Sequence, residues 1–114
     1  MEVLNFYHKP PVETKNVISA LAALAQESRL AVFRALVQAG PEGMAATRIS
    51  ECVGVPPSSL SFHLKEMSHA GLVTSRQEGR FVIYSANFET MTGLIGFLTE
   101  NCCGGKPCSP VCPA

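Results

Sequence analysis

The side chains with the greatest capacity for chemistry crowd one end of this 114-residue chain. Four of its five cysteines fall within the last thirteen residues, in the run Asn101-Cys102-Cys103-Gly104-Gly105-Lys106-Pro107-Cys108-Ser109-Pro110-Val111-Cys112. Thiolates are soft donors and select soft acceptors. Trivalent arsenic or antimony takes three thiolates in a pyramid. Adjacent Cys102 and Cys103 supply two, Gly104-Gly105 lets the chain fold back, and Pro107 helps fix the return that offers Cys108 as the third. Lys106 favours the thiolate form by through-space attraction. Cys112 is a candidate fourth donor, and four thiolates would make a tetrahedral zinc, cadmium or lead site. Cys52 stands apart beside an apolar face and is expected to be a structural cysteine.

The rest of the composition narrows the setting. The length is that of one domain. The N-terminus, MEVLNFYHKPP, lacks the basic and apolar regions of a signal peptide, and no apolar run is long enough to span a membrane. A cytoplasmic protein with reduced thiols is therefore expected, not a disulfide framework. Nine basic and nine acidic residues cancel. Net charge thus argues neither for nor against nucleic acid, and local distribution decides. Arg48, Lys65, Arg76 and Arg80 fall within one contiguous part of the chain, enough for a limited set of phosphate contacts.

That part is organised around residues 44–72, MAATRISECVGVPPSSLSFHLKEMSHAGL, which read as two short helices and a tight turn. The first runs from about Ala45 to Cys52, and Val53-Gly54-Val55 breaks it. Pro56-Pro57 opens the second, because proline at a first helical position sacrifices no hydrogen bond. The second continues to about His69 and ends at Ala70-Gly71. Leu60, Leu64 and Met67 share one side of a 3.6-residue wheel, and Ser58, Phe62, Lys65 and His69 the other. Small hydroxyls near the N-terminus and a cation on the exposed face suit a helix lying in the DNA major groove.

Upstream, residues 1–11 read as a flexible arm, followed by helices from about Val12 to Leu24 and Glu27 to Gln38. Downstream, Leu72 to Arg76 and Arg80 to Ala86 form a predicted β-hairpin with Gln77-Glu78-Gly79 as its turn. Arg76 and Arg80 flank that turn, where a wing meets the phosphate backbone. A last helix is predicted from about Phe88 to Asn101, with Met91, Leu94, Ile95 and Leu98 on one face. That face and the Val17, Ile18, Leu21, Leu24 stripe of the first helix both need burial. The pattern alone allows packing within one chain or between two.

Four stretches together resemble the ArsR/SmtB family of winged-helix metal-sensing repressors: Pro57-Ser58-Ser59-Leu60-Ser61-Phe62-His63-Leu64-Lys65, Ala70-Gly71-Leu72-Val73, Leu24-Ala25-Gln26-Glu27-Ser28-Arg29-Leu30, and Glu78-Gly79-Arg80-Phe81-Val82-Ile83-Tyr84. The likeness covers about residues 17–100. It departs from the family at Pro56, where Ser or Asp is frequent, and at Phe62, where Arg is frequent. The resemblance implies a mainly α, homodimeric winged helix-turn-helix with a β-hairpin wing. The first and last helices would then pair across a two-fold axis through Val17, Leu21, Met91, Leu94, Ile95 and Leu98. DNA would be met by Ser58, Ser59, Ser61, Phe62, His63, Lys65, Arg76 and Arg80. The Asn101-Cys102-Cys103 run with a third cysteine beyond it is similar to arsenite-responsive members, which end the last helix that way. Two other metal sites of the family are absent: Cys52 has no Cys-x-Cys partner, and the last helix carries no histidine.

The expectation is a non-enzymatic repressor, with residues 12–101 as the DNA-binding and dimerisation domain and 102–114 as the cysteine-rich tail. It binds operator DNA as a homodimer and leaves it when As(III) or Sb(III) binds. No organic cofactor and no membrane partner are expected. The alternatives are a repressor of the same fold that answers to Cd, Pb, Zn or oxidants, and a thiol-rich metalloid carrier. A carrier needs neither a serine-rich recognition helix nor an arginine-flanked wing. An enzyme is disfavoured because the chain has no phosphate-cradling glycine loop and no Cys-x5-Arg loop.

Overall fold

A computed structural model describes residues 13–105. The arm, and the tail from residue 106 with Cys108 and Cys112, lie outside the described residues. Five helices and three strands follow in order: α1 Thr14–Leu24, α2 Glu27–Ala39, β1 Met44–Ala45, α3 Ala46–Val53, α4 Pro57–His69, β2 Val73–Glu78, β3 Phe81–Ala86 and α5 Phe88–Leu98. A 3-10 turn at Gly40–Glu42 precedes β1, and another spans Cys102–Gly105. The class is mainly helical with a hairpin, as the periodicities indicate.

Local chemistry explains the helix ends. Gln26 caps α2, its Oε1 accepting from the Arg29 backbone N–H at 3.0 Å, and Asn87 caps α5 through Oδ1 and the Thr90 N–H at 3.2 Å. Gly54 ends α3 in the left-handed conformation, φ 73°. The Ser50 hydroxyl donates across the following turn to the Val55 carbonyl, closing the link into α4. Pro57 occupies the first position of α4, where its missing N–H costs nothing.

One core holds these elements together. Val32 and Leu36 of α2, Ile49 of α3, Leu60 and Met67 of α4 and Leu72 beyond it are enclosed on all sides. The three α4 residues grouped on one side by the wheel, Leu60, Leu64 and Met67, are all buried. Enclosing side chains of this size contributes roughly 1.5–3 kcal/mol each relative to exposure.

The sheet has the order β1-β3-β2, all antiparallel. The two-residue strand β1 is too short to show a period-two pattern. It pairs Met44 with Tyr84 and Ala45 with Ile83, which fastens the start of α3 to the hairpin. Gly43 makes this junction possible: its φ is 73°, and a Cβ there would collide with the Tyr84 carbonyl oxygen. The hairpin is longer on its first strand than its residues predict. Glu78 pairs with Phe81, so Gly79-Arg80 is the loop and Gln77 and Glu78 belong to the strand. Two-residue hairpin loops favour a glycine that can take positive φ, and Gly79 has φ 62°.

The largest departure is at α5. It stops at Leu98 rather than Asn101. Thr99 donates its hydroxyl back to the Ile95 carbonyl at 2.6 Å, and Asn101 adopts φ 56°, a left-handed conformation that asparagine tolerates at helix ends. Cys102 and Cys103 therefore stand beyond the helix.

Candidate functional site

Two regions carry the groups with functional chemistry. The first is the outer face of α4 together with the hairpin. Ser58, Ser59, Ser61, Phe62 and Lys65 are all exposed, because the opposite face of α4 is spent on Leu60, Leu64 and Met67. Lys65 makes no ion pair among the described residues, and neither does Arg80 at the hairpin tip. Their charge is open to solvent.

His63 and Arg76 are placed differently from the other DNA-facing candidates. His63 is half-buried, and its Nδ1 accepts a hydrogen bond from Arg29 Nε at 3.1 Å. It ties α4 to α2. Arg76 donates from Nε to Glu78 Oε2 at 2.8 Å and from NH2 to the Glu42 carbonyl at 2.9 Å. Its NH1 also lies 3.5 Å from Ser85 Oγ. The guanidinium thus braces the base of the hairpin against the 3-10 turn. Arg48 forms only a long, exposed contact to Glu51 at 3.8 Å, the kind of pair that contributes little.

Arg29 is the residue that sequence reasoning passed over. It was visible only as part of the Leu24–Leu30 resemblance. Its guanidinium carbon lies 5.7 Å from the centre of the Phe62 ring while its Nε holds His63. The two partners lie more than thirty positions away, and no local pattern reports such a pairing.

The second region is the end of α5 and the turn after it. Cys102 is exposed and its Sγ lies 3.9 Å from Cys103 Sγ. Two thiolates held about 2.3 Å from one tetrahedral ion would be roughly 3.8 Å apart, so the vicinal pair has suitable spacing. Cys103 has φ 56°, and Gly104 and Gly105 also take positive φ. Among the described residues no three metal-binding side chains converge. Completing a three-thiolate set therefore falls to Cys108 or Cys112, both outside the described residues.

Cys52 corrects an expectation. It is exposed on α3, not packed as a structural cysteine. Ile49 takes the buried position of this short helix, and a residue three further on lies about 60° round the wheel from it, enough to leave the core.

Ile18, Leu21, Ile95 and Leu98 are 60 %, 39 %, 55 % and 62 % exposed. They belong to the stripes of the first and last helices singled out for a shared interface. Val17 and Leu94, grouped with them in the sequence, are instead buried inside the protomer, and Met91 packs partly against the same core. The predicted stripe thus splits: one edge is core and the other is surface.

No helix among the described residues is long and apolar enough to cross a membrane. Residues 24–76 match the model of a helix-turn-helix domain. The chain is 35 % identical over 81 residues to the arsenical resistance operon repressor of Bacillus subtilis, covering 71 % of this chain and 73 % of that protein. It superposes on an ArsR-like transcriptional regulator from Rhodococcus with a TM-score of 0.65 at 25 % identity, covering 74 % of this chain and 76 % of the other. A homodimeric winged helix-turn-helix DNA-binding domain from Mycobacterium bovis has the same fold, with a TM-score of 0.61 at 22 % identity over 83 % of this chain and 88 % of the other. Sequence and fold agree: the chain belongs to the ArsR family of winged helix-turn-helix transcriptional regulators.

Proposed function

We propose that this regulator is a homodimeric, cytoplasmic repressor that holds operator DNA and releases it when arsenite or antimonite binds the thiolates of Cys102, Cys103 and Cys108. The observation that carries the reading is the position of the vicinal cysteines. Their sulfurs are 3.9 Å apart, directly after the helix whose Ile95 and Leu98 remain exposed. The name of the Bacillus subtilis relative supports a metalloid signal.

The mechanism follows from that adjacency. Two copies bury Ile18, Leu21, Ile95 and Leu98 against each other. The two α4 helices then enter major grooves one DNA turn apart, roughly 34 Å. Ser58, Ser59, Ser61 and Phe62 face bases, and Lys65 and Arg80 meet phosphates. His63 and Arg76 serve the same surface indirectly, by fixing α4 and the wing. When three thiolates close on one arsenic atom, the turn after α5 is drawn to the tail. The end of α5 moves with it, and the spacing of the two reading heads no longer fits the DNA. A coupling free energy on the order of 1–3 kcal/mol weakens operator binding 5- to 150-fold.

Arsenic is complete with three thiolates, so Cys112 is dispensable in this reading. Zinc or cadmium would need a fourth donor. A mobility shift on the DNA upstream of the gene, titrated separately with arsenite, antimonite, cadmium and zinc, tests the assignment. Release by arsenite and antimonite, with three sulfurs around arsenic by X-ray absorption, is the expected result. Release by zinc or cadmium alone, with four sulfurs, would replace it.

The close spacing of the Cys102 and Cys103 sulfurs also suits a second reading, in which the same cysteines answer to an oxidant. In that case a thiol oxidant releases DNA and arsenite does not.

A further inference from the structure

Beyond Pro57 at its start, the exposed face of α4 is polar with one exception. Hydroxyls of Ser58, Ser59 and Ser61, with Lys65, surround Phe62, which leaves 55 % of its surface in solvent. A phenyl ring exposed to this extent gains only part of its burial energy in the free protein, yet this one has a cation set against it. Arg29 reaches across from α2 with its guanidinium 5.7 Å from the ring centroid, and the same side chain donates to His63, the next residue of α4. The Gln26 cap in turn accepts from the Arg29 backbone N–H. One guanidinium therefore grips two consecutive residues of α4, and its attraction to the ring face favours one ring orientation.

The target follows from what a major groove presents. Every base pair offers donors and acceptors there, but the only apolar group is the C5-methyl of thymine. Serine hydroxyls donate or accept as needed and discriminate weakly between bases. A phenyl ring has one apolar partner in that groove and no way to bond the polar edges.

We infer that Phe62 is the specificity-determining contact of the recognition helix, packing on a thymine methyl in each half-site, and that Arg29 is the positioning residue that aims the ring. This rests on the reading of α4 as the DNA-contacting helix.

The test uses the full chain, reduced, and duplexes it enriches from a random DNA pool. Each thymine of one half-site is replaced in turn by deoxyuridine, which removes only the methyl group, and affinity is read by fluorescence anisotropy. One thymine should be sensitive, with affinity falling about four-fold, the effect of losing one buried methyl-sized group. Phe62→Ala should bind more weakly and ignore that replacement. Phe62→Leu should keep part of the sensitivity. Arg29→Gln should reduce it below two-fold while leaving the salt dependence of binding unchanged. Equal methyl sensitivity in Phe62→Ala and the parent, or no sensitive thymine, overturns the specificity assignment. Full sensitivity in Arg29→Gln overturns the positioning role. Failure to enrich any DNA overturns the DNA reading of α4 and this inference with it, a result distinct from the others.

Discussion

The reading head and the end of α5 are built on opposite plans. In the head, residues from α2, α3 and α4 enclose one another completely, and the turn between α3 and α4 is fixed by Gly54 and by the Ser50 to Val55 hydrogen bond. Beyond Leu94 the last helix buries nothing fully. It carries exposed Ile95 and Leu98, stops at Leu98, and passes into a turn with left-handed Asn101, Cys103, Gly104 and Gly105. Reading DNA requires side chains held at fixed mutual positions. Responding to a ligand requires an element with two accessible arrangements, and such elements come from the weakly packed part of a fold. The proposed function uses this contrast, giving recognition to one region and regulation to the other.

The largest expected effect tests the packed side. Met67→Ala should destabilise the protomer by about 2–5 kcal/mol, because the cavity it leaves is enclosed on all sides; urea unfolding measures this. A loss below 1 kcal/mol would mean that the head is not the rigid half of the molecule. Leu98→Lys probes the other side. It should leave the protomer folded by circular dichroism but yield monomers with no operator binding, since an apolar seam does not accept an unpaired ammonium. An intact dimer in sedimentation at micromolar protein would place the interface elsewhere.

Smaller effects sharpen the boundary. Lys65→Ala and Arg80→Ala should each reduce the salt dependence of DNA binding by about one unit of slope. Arg76→Ala should change that slope less, because its guanidinium is bound to Glu78 and the Glu42 carbonyl. Equal slopes for Arg76→Ala and Arg80→Ala would contradict this separation. The smallest effect is expected at Cys52. Being exposed, Cys52→Ser should change stability by no more than about 0.5 kcal/mol and leave the arsenite response intact; a larger loss would restore its structural role.

The two regions also differed in how much the residues disclosed. Leu60, Leu64 and Met67 repeat at helical spacing and face a core, so periodicity placed α4 and its exposed side correctly. Pro57 and Gly54 marked the helix boundaries through backbone restrictions that act locally. Information carried by long-range pairing was hidden. Nothing near Met44 and Ala45 announces a strand, because its reason to exist is Tyr84 and Ile83. Arg29 could not be linked to Phe62 and His63 for the same reason. Val17 and Leu94, buried in the protomer, show a different gap: a broad apolar stripe does not say which edge faces its own core. At α5, apolar spacing and helix both run to Leu98, but the Thr99 hydroxyl and the left-handed Asn101 end it before the expected Asn101 boundary. The crowding of cysteines at one end was visible from residue types alone, whereas the exposure of Cys52 depended on which side of a short helix the core selects.

The most direct test of the account is operator anisotropy with the full-length, reduced protein, titrated with arsenite in the parent and in Cys102→Ser and Cys103→Ser. The account predicts that arsenite weakens DNA binding by the parent between about 5- and 150-fold, while both variants bind operator as the parent does and do not respond. Retention of operator by the parent at saturating arsenite, or release of DNA from both variants at the parent's arsenite concentration, would contradict it.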